Sequence, residues 1–394
     1  MDTFLSRRVQ AIKPSPTLAV TARAARLQAE GRDIVSLGAG EPDFDTPDYI
    51  KEAAIRAIRE GFTKYTAVDG TPGLKQAIVE KFAHDNDLHF SPAQVLVSVG
   101  GKQSFFNLCQ ALLNPGDEVI VPAPYWVSYT DIVILAEATP RVVETDMDSG
   151  FKVRPAQLAA AITPRTKLLV LNSPSNPTGS AYTADELAAL GEVLRAHPQV
   201  LIATDDMYEK ILFTEAPFVN IANVCPDLLP RTVVMNGVSK AYAMTGWRIG
   251  YCAGPEPLIK AMTKVQSQST SNPTSIAQKA AEAALRGDQS VLEPMVRAFR
   301  ERHDYVVERL NRMPGVRCLE SQGTFYAFPS FHRVIAERGL KNDLELAEEL
   351  LEKAGVALVP GSAFGAEGYL RISFATSMEN LQKALDRIEG FLGS

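Results

Sequence analysis

Residues 167–208 read KLLVLNSPSNPTGSAYTADELAALGEVLRAHPQVLIATDDMY. An apolar run at 167–171 meets a turn, Ser175-Asn176-Pro177-Thr178-Gly179, then a helical segment over 183–196, then a second apolar run at 200–204. Short apolar runs bounded by turn residues fit strands that are buried on both faces. Two strands joined by a helix run parallel, since a parallel pair needs a crossover of a dozen residues or more. The unit extends outward in both directions. Further strands are expected at 94–99, 118–122, 139–145, 232–235 and 247–252, with helices at 102–113, 127–136 and 155–161. Pro115-Gly116-Asp117 turns the chain into one of them. The expected class is α/β, with a mostly parallel seven-stranded sheet covered by helices on both faces.

The pattern changes after about residue 254. Long helices are expected at 255–267, 274–286 and 290–312, then short strands near 316–319, 324–328, 356–359 and 369–374, with helices at 342–354 and 378–392. This reads as a smaller α+β domain. The N-terminal stretch holds an amphipathic segment at 18–30 and an isolated strand at 34–37, too little to close a core alone. The expected division is a segment 1–45 packed on the small domain, a large domain 46–290, and a small domain 291–394.

Composition narrows the partners. The 394 residues carry a net charge of −6, which argues against a nucleic-acid partner. No stretch reaches the ~18 apolar residues of a membrane span, and Met1–Arg8 contains no apolar signal core. Cys109, Cys225, Cys252 and Cys318 form no CxxC, and the five histidines form no H-x-x-x-H pair, so neither a disulfide framework nor a local metal motif is present. A cytoplasmic protein without membrane contact is expected.

In an open α/β sheet, ligands lie beyond the carboxyl ends of the strands. The expected strands end in Gly100-Gly101-Lys102, in Asn172 and Asn176, in Asp205-Asp206-Met207-Tyr208, and in Asn236, Ser239 and Lys240. Nucleotide motifs fail here. Gly38-Ala39-Gly40 has Asp43 where a third glycine belongs, and Gly101-Lys102 lacks both the earlier glycine and the following Ser or Thr. Gly100-Gly101 opening a helix can still seat a phosphate on free N–H groups. Lys102 in a first turn opposes the helix dipole. It reads either as an exposed lysine or as a cation recruited to an anionic ligand. Arg371 alternates with Leu370 and Ile372, either on a solvated edge or aimed at a carboxylate. An amine, a carboxylate and a phosphate seat suit pyridoxal phosphate, with Lys240 taking the aldehyde and Asp205 the ring nitrogen.

Ser239-Lys240-Ala241-Tyr242-Ala243-Met244-Thr245-Gly246-Trp247-Arg248-Ile249-Gly250 resembles the pyridoxal-lysine signature of class I aminotransferases. Asn172–Gly179, Asp205–Tyr208, Gly40-Glu41-Pro42-Asp43-Phe44, Pro124-Tyr125-Trp126 and Leu370–Phe374 resemble the family's other motifs, in order along the whole chain. One departure is Asp206, where the family usually has Glu. The resemblance implies the fold type I architecture of pyridoxal-phosphate enzymes. It implies Lys240 as the residue that bonds the cofactor and moves the proton, Asp205 on the ring nitrogen, Tyr208 and Asn176 on the ring hydroxyl, and Trp126 stacked on the ring. Gly100, Gly101, Lys102, Ser239 and Arg248 would surround the phosphate. Arg371 and Asn176 would hold the substrate α-carboxylate, with Gly40 and Trp126 beside it. Tyr65 would reach the cofactor of a second subunit, making the active unit a homodimer.

The run Ser6–Gln10, then Lys13-Pro14-Ser15-Pro16-Thr17, together with Gly100-Gly101-Lys102, is similar to the prokaryotic aspartate aminotransferase branch called subgroup 1b. That likeness implies Lys102 and Thr17 on the distal carboxylate of aspartate or glutamate. The expected function is ping-pong transfer of the amino group from L-aspartate to 2-oxoglutarate. The alternatives are an aspartate/prephenate enzyme, for which Lys13 is a candidate, and an aromatic or alanine aminotransferase of the same fold.

Overall fold

A computed structural model describes residues 4–393. Its strands are β1 (Val35–Ser36), β2 (Val95–Ser98), β3 (Glu118–Ala123), β4 (Thr139–Glu144), β5 (Thr166–Asn172), β6 (Leu201–Asp205), β7 (Thr232–Gly237), β8 (Gly250–Ala253), β9 (Tyr326–Ala327), β10 (Val356–Ala357), β11 (Val359–Pro360) and β12 (Leu370–Ser373). Seven form one sheet in the order β2-β8-β7-β6-β5-β3-β4. All run parallel except β8, which is antiparallel to both neighbours.

The apolar runs work as two-faced strands. Leu168 and Val170 of β5 join the cluster of Phe105, Leu108 and Val133 on one side. Leu169 and Leu171 join Leu187, Leu190 and Leu194 on the other. Each such leucine or valine, fully withdrawn from water, contributes about 1.5–3 kcal/mol. The helix Ala184–Arg195 starts on a capping box in which Thr183 accepts from Glu186 N–H and Glu186 accepts from Thr183 N–H.

The N-terminal strand β1 pairs in parallel with β10, Val35 opposite Val356. Ala24, Leu27 and Ile34 pack on Leu351 and Ala357. A three-stranded antiparallel sheet, β11-β12-β9, backs a second apolar core around Phe299, Phe325 and Phe374. All four cysteines are buried and free.

Some elements differ from expectation. The strand expected from Trp247 begins at Gly250, because Thr245–Trp247 is a 3-10 turn and Arg248 takes φ 57°. The expected strand near 316–319 is reduced to a single bridge, Arg317 with Ser330. The helix expected over 342–354 is α-helical only over Asp343–Glu349, then widens into a π turn over Leu350–Ala354. Two helices, Asp48–Arg59 and Pro72–Asn86, fill a stretch where no element was expected.

Candidate active site

Strands β2, β5, β6 and β7 are mutually parallel, so their carboxyl ends share one rim. A cavity of 460 Å³ opens there, lined by Thr17, Gly40, Gly101, Lys102, Trp126, Asn176, Asp205, Tyr208, Ser239, Lys240, Arg248 and Arg371 among others. The sequence scatters these residues over some 350 positions. Gly100 lies just behind the lining at φ 80°, and a Cβ there would stand 2.3 Å from Arg248 Nη2. Glycine thus lets the Arg248 guanidinium close on the first turn of the helix Gly101–Leu112. Two further expected residues stand outside the cavity of the single chain. Tyr65 is 91% exposed, and Lys13 is exposed ahead of the helix Pro16–Ala29.

Arg371 is 2% exposed. Nη1 donates to Asn176 Oδ1 at 2.9 Å and Nη2 to the Gly38 carbonyl at 2.8 Å, while Nε has no partner. Its guanidinium lies 4.4 Å from the Tyr326 ring centroid and 5.0 Å from that of Phe364. Among the described residues no carboxylate pairs with it. Burial lowers its pKa, against the opposing pull of Tyr326 and Tyr208. A buried guanidinium flanked by aromatic rings and lacking a counter-ion is costly unless an anionic ligand completes it.

Lys240 donates from Nζ to the Gly40 carbonyl at 2.5 Å. Burial first, then the nearby Arg371 charge, push its pKa down to about 8. Folded at neutral pH, this amine is therefore far more often unprotonated than a surface lysine. Lysine-selective acylation of the cofactor-free protein should label Lys240 with a midpoint near pH 8, whereas surface lysines titrate near ~10.4. A Lys240 midpoint among the surface lysines would contradict this environment.

At the end of β6, Asp205 accepts from the Tyr129 hydroxyl at 2.5 Å and from Met207 N–H at 3.4 Å. Burial raises its pKa, and the Tyr129 and Met207 donors with the Lys240 charge oppose that rise. The Tyr208 hydroxyl lies 3.1 Å from that of Tyr326, and burial keeps it protonated well above the usual phenol range. Asn172 donates to the Asp205 carbonyl at 2.8 Å and accepts from Asn176 N–H at 2.8 Å, locking the β5 and β6 ends together.

Lys102 Nζ lies 5.2 Å from the Trp126 ring centroid. Enclosure by the cavity and then the Arg248 charge lower its pKa. Its side chain both reaches solvent and lines the cavity. Thr17, at the start of its helix, lines the same cavity. No sequence pattern singles out Tyr129 or Tyr326, which sit in unremarkable helix and strand stretches. Glu41 and Thr245, hydrogen-bonded to each other at 2.8 Å, were visible only as parts of longer motifs.

The lining cations Lys102, Lys240, Arg248 and Arg371 outnumber the carboxylates Glu41 and Asp205. Such a rim, with a depressed amine among its cations, suits anionic ligands and has the chemical character of a lysine-based active site. The chain matches the aminotransferase class I and II family over residues 32–388 and belongs to it, as a pyridoxal-phosphate-dependent aminotransferase. It is 63% identical to the aspartate/prephenate aminotransferase of Nitrosomonas europaea, covering 98% of this chain and 99% of that one. It is 52% identical to the aspartate aminotransferase of Geobacillus stearothermophilus, covering 98% of each. The solved structure of the Thermus thermophilus aspartate aminotransferase with maleate superposes with a TM-score of 0.93, at 46% identity over 98% of this chain and 99% of that one.

Proposed function

We propose that this protein is an aspartate aminotransferase, moving the amino group of L-aspartate to 2-oxoglutarate by a ping-pong cycle that yields oxaloacetate and L-glutamate. The observation that carries the reading is a pair of cations in one cavity, Arg371 without a counter-ion and Lys102, with Thr17 and the Lys240 amine lining the same space. Both substrates are dicarboxylates, and the Thermus relative was solved with a dicarboxylate, maleate.

The donor set fits pyridoxal phosphate. The first-turn N–H groups of Gly101 and Lys102, with Ser239 and Arg248, would take the phosphate. Asp205 would meet the ring nitrogen, Tyr208 and Asn176 the ring hydroxyl, and Trp126 the ring face. When bound, the cofactor supplies an aldehyde for amine exchange and a ring that draws off the electron pair of the Cα–H bond. Arg371 and Asn176 orient the substrate α-carboxylate next to Gly40. Lys240 Nζ then removes the Cα proton as general base and returns it at the neighbouring carbon as general acid. Lys102 and Thr17 hold the distal carboxylate.

Relatives from Nitrosomonas europaea and Cereibacter sphaeroides bear the name aspartate/prephenate aminotransferase, which supports prephenate as a further acceptor, with Lys13 as a candidate residue at the N-terminal side. Assaying aspartate, glutamate, alanine and phenylalanine as donors to 2-oxoglutarate, and prephenate as acceptor, tests both readings. Highest kcat/KM for alanine or phenylalanine would refute the first.

The proposed unit is a cytoplasmic homodimer with shared sites. Its support is Tyr65, an aromatic left 91% exposed and outside its own cavity. Mixing Lys240→Ala with Tyr65→Ala subunits gives heterodimers with one site free of both lesions. Activity should rise on exchange towards one good site per dimer. No rise, with exchange confirmed by mass, would mean that each subunit builds its own site. The proposed domain division at about residues 45 and 290 rests on the β1–β10 pairing and on the Phe299–Phe374 core, which Tyr208, Ile211 and Phe213 of the large domain also enter.

A further inference from the structure

Asp205 is held by a residue from outside its own strand. Tyr129 lies in the helix Ser128–Leu135, and its hydroxyl donates to Asp205 Oδ2 at 2.5 Å. The phenol is buried, with its ring edge-on to Phe105 at 5.0 Å and to Trp126 at 5.3 Å between centroids. One side chain thus touches both the Asp205 carboxylate and the Trp126 ring, two members of the cavity lining. Phe105 and the backbone of the helix fix the phenol, so the hydroxyl position is set before any ligand arrives.

The charged and titratable groups near Asp205 are few. Lys240 comes from the loop after β7, Asp206 and Tyr208 from its own turn, and Tyr129 from the helix. Asp206 is turned away, accepting from Asn220 Nδ2 at 2.8 Å. Tyr208 is engaged with the Tyr326 hydroxyl. That leaves Tyr129 as the side-chain hydroxyl that donates to this carboxylate. Burial, and then the negative charge of Asp205, keep the phenol proton in place well beyond the ordinary range, so it remains a donor at neutral and acid pH.

We infer that Tyr129 is a positioning residue whose hydroxyl holds the Asp205 carboxylate ionised and oriented, and whose ring fixes that carboxylate relative to Trp126. The inference rests on the reading of Asp205 as the group that meets the cofactor ring nitrogen. A donor to a carboxylate favours its charged form. Without the hydroxyl, Asp205 binds a proton more readily, and the ionised form that can take a protonated ring is lost at a higher pH.

The test is binding of pyridoxamine phosphate to the full-length, cofactor-stripped protein across the acid range, read by quenching of tryptophan fluorescence and by calorimetry. Three proteins are compared: wild type, Tyr129→Phe and Asp205→Asn. Tyr129→Phe keeps the ring and its packing, so its melting temperature should stay near the wild-type value while the acid limb of binding moves up by about one to two pH units. A merely structural tyrosine would weaken binding equally at every pH. Superimposed acid limbs in wild type and Tyr129→Phe would overturn the inference. Asp205→Asn should abolish the limb that moves in Tyr129→Phe. If instead it retains the wild-type limb, the reading of Asp205 itself fails, and the Tyr129 inference with it.

Discussion

Lys240→Ala is expected to bind pyridoxal phosphate and to turn over at least ~100-fold more slowly than wild type, from loss of the general base. The reason is geometric as well as chemical. Lys240 is the lysine that the β7 loop delivers to the cavity beside Gly40, and its pKa of about 8 makes the free amine far more available there near neutral pH than at an exposed lysine. Asp205, Arg248, Arg371 and the Gly100 seat are untouched by the substitution, so cofactor affinity should fall far less than rate. Borohydride reduction of the wild-type holoenzyme followed by peptide mapping should place the label on Lys240. A label on Lys102, or a Lys240→Ala enzyme of near-normal rate, would remove the assignment. Rescue by exogenous small amines is expected in proportion to their basicity, because what is missing is a base at a defined point.

The second large effect concerns specificity. Lys102→Ala should lower kcat/KM for aspartate by ~10- to ~150-fold, since a hydrogen bond to a charged group is worth about 1.5–3 kcal/mol and ~1.4 kcal/mol is tenfold. Alanine and phenylalanine lack a distal carboxylate, so their kcat/KM should change little. The ratio of aspartate to alanine is therefore the measurement that decides. Lys102 stands in the first turn of its helix near Arg248, a doubly unfavourable place for a cation unless an anion completes it. If Lys102 mainly served the phosphate seat, every donor would suffer alike and cofactor affinity would fall. An unchanged ratio would withdraw the reading of Lys102 as the distal-carboxylate group and leave the aminotransferase family untouched.

The legible parts of the fold share a cause. Strands β5, β6 and β7 are buried on both faces along their middles, so residues 168–171, 201–203 and 233–235 read as unbroken apolar runs that stand out against the turns that bound them. The helix Asp48–Arg59 does carry a pattern, Ile50, Ala54 and Ala57 on one buried face, but its small alanines make a faint stripe. Pro72–Asn86 buries Lys75, Lys81 and Asn86 along with its apolar residues. Lys75 is paired with Asp69 and Lys81 with Glu209, so polar letters here mark interior positions that composition reads as surface. The strand expected from Trp247 starts late because the Trp247 indole donates to Thr46 Oγ1 at 3.0 Å and the chain turns through Arg248 before pairing.

By itself the sequence determined the alternation of strand and helix, and hence a parallel sheet whose carboxyl ends form one rim, because buried strands and crossover helices impose their periods on the residues that build them. It also determined the chemical inventory at that rim: an amine, carboxylates, amides and a glycine pair at strand ends. Whether Arg371 faced solvent or the cavity could not follow from its alternation with Leu370 and Ile372, since a strand has two faces and only the layers packed on it decide which is wet. The tertiary structure decided that β12 lies between β11 and β9, with Arg371 enclosed by Tyr326 and Phe364 and held by Asn176 from the turn after β5. It likewise decided the hold of Tyr129 on Asp205, a contact between residues 76 positions apart that no local period encodes.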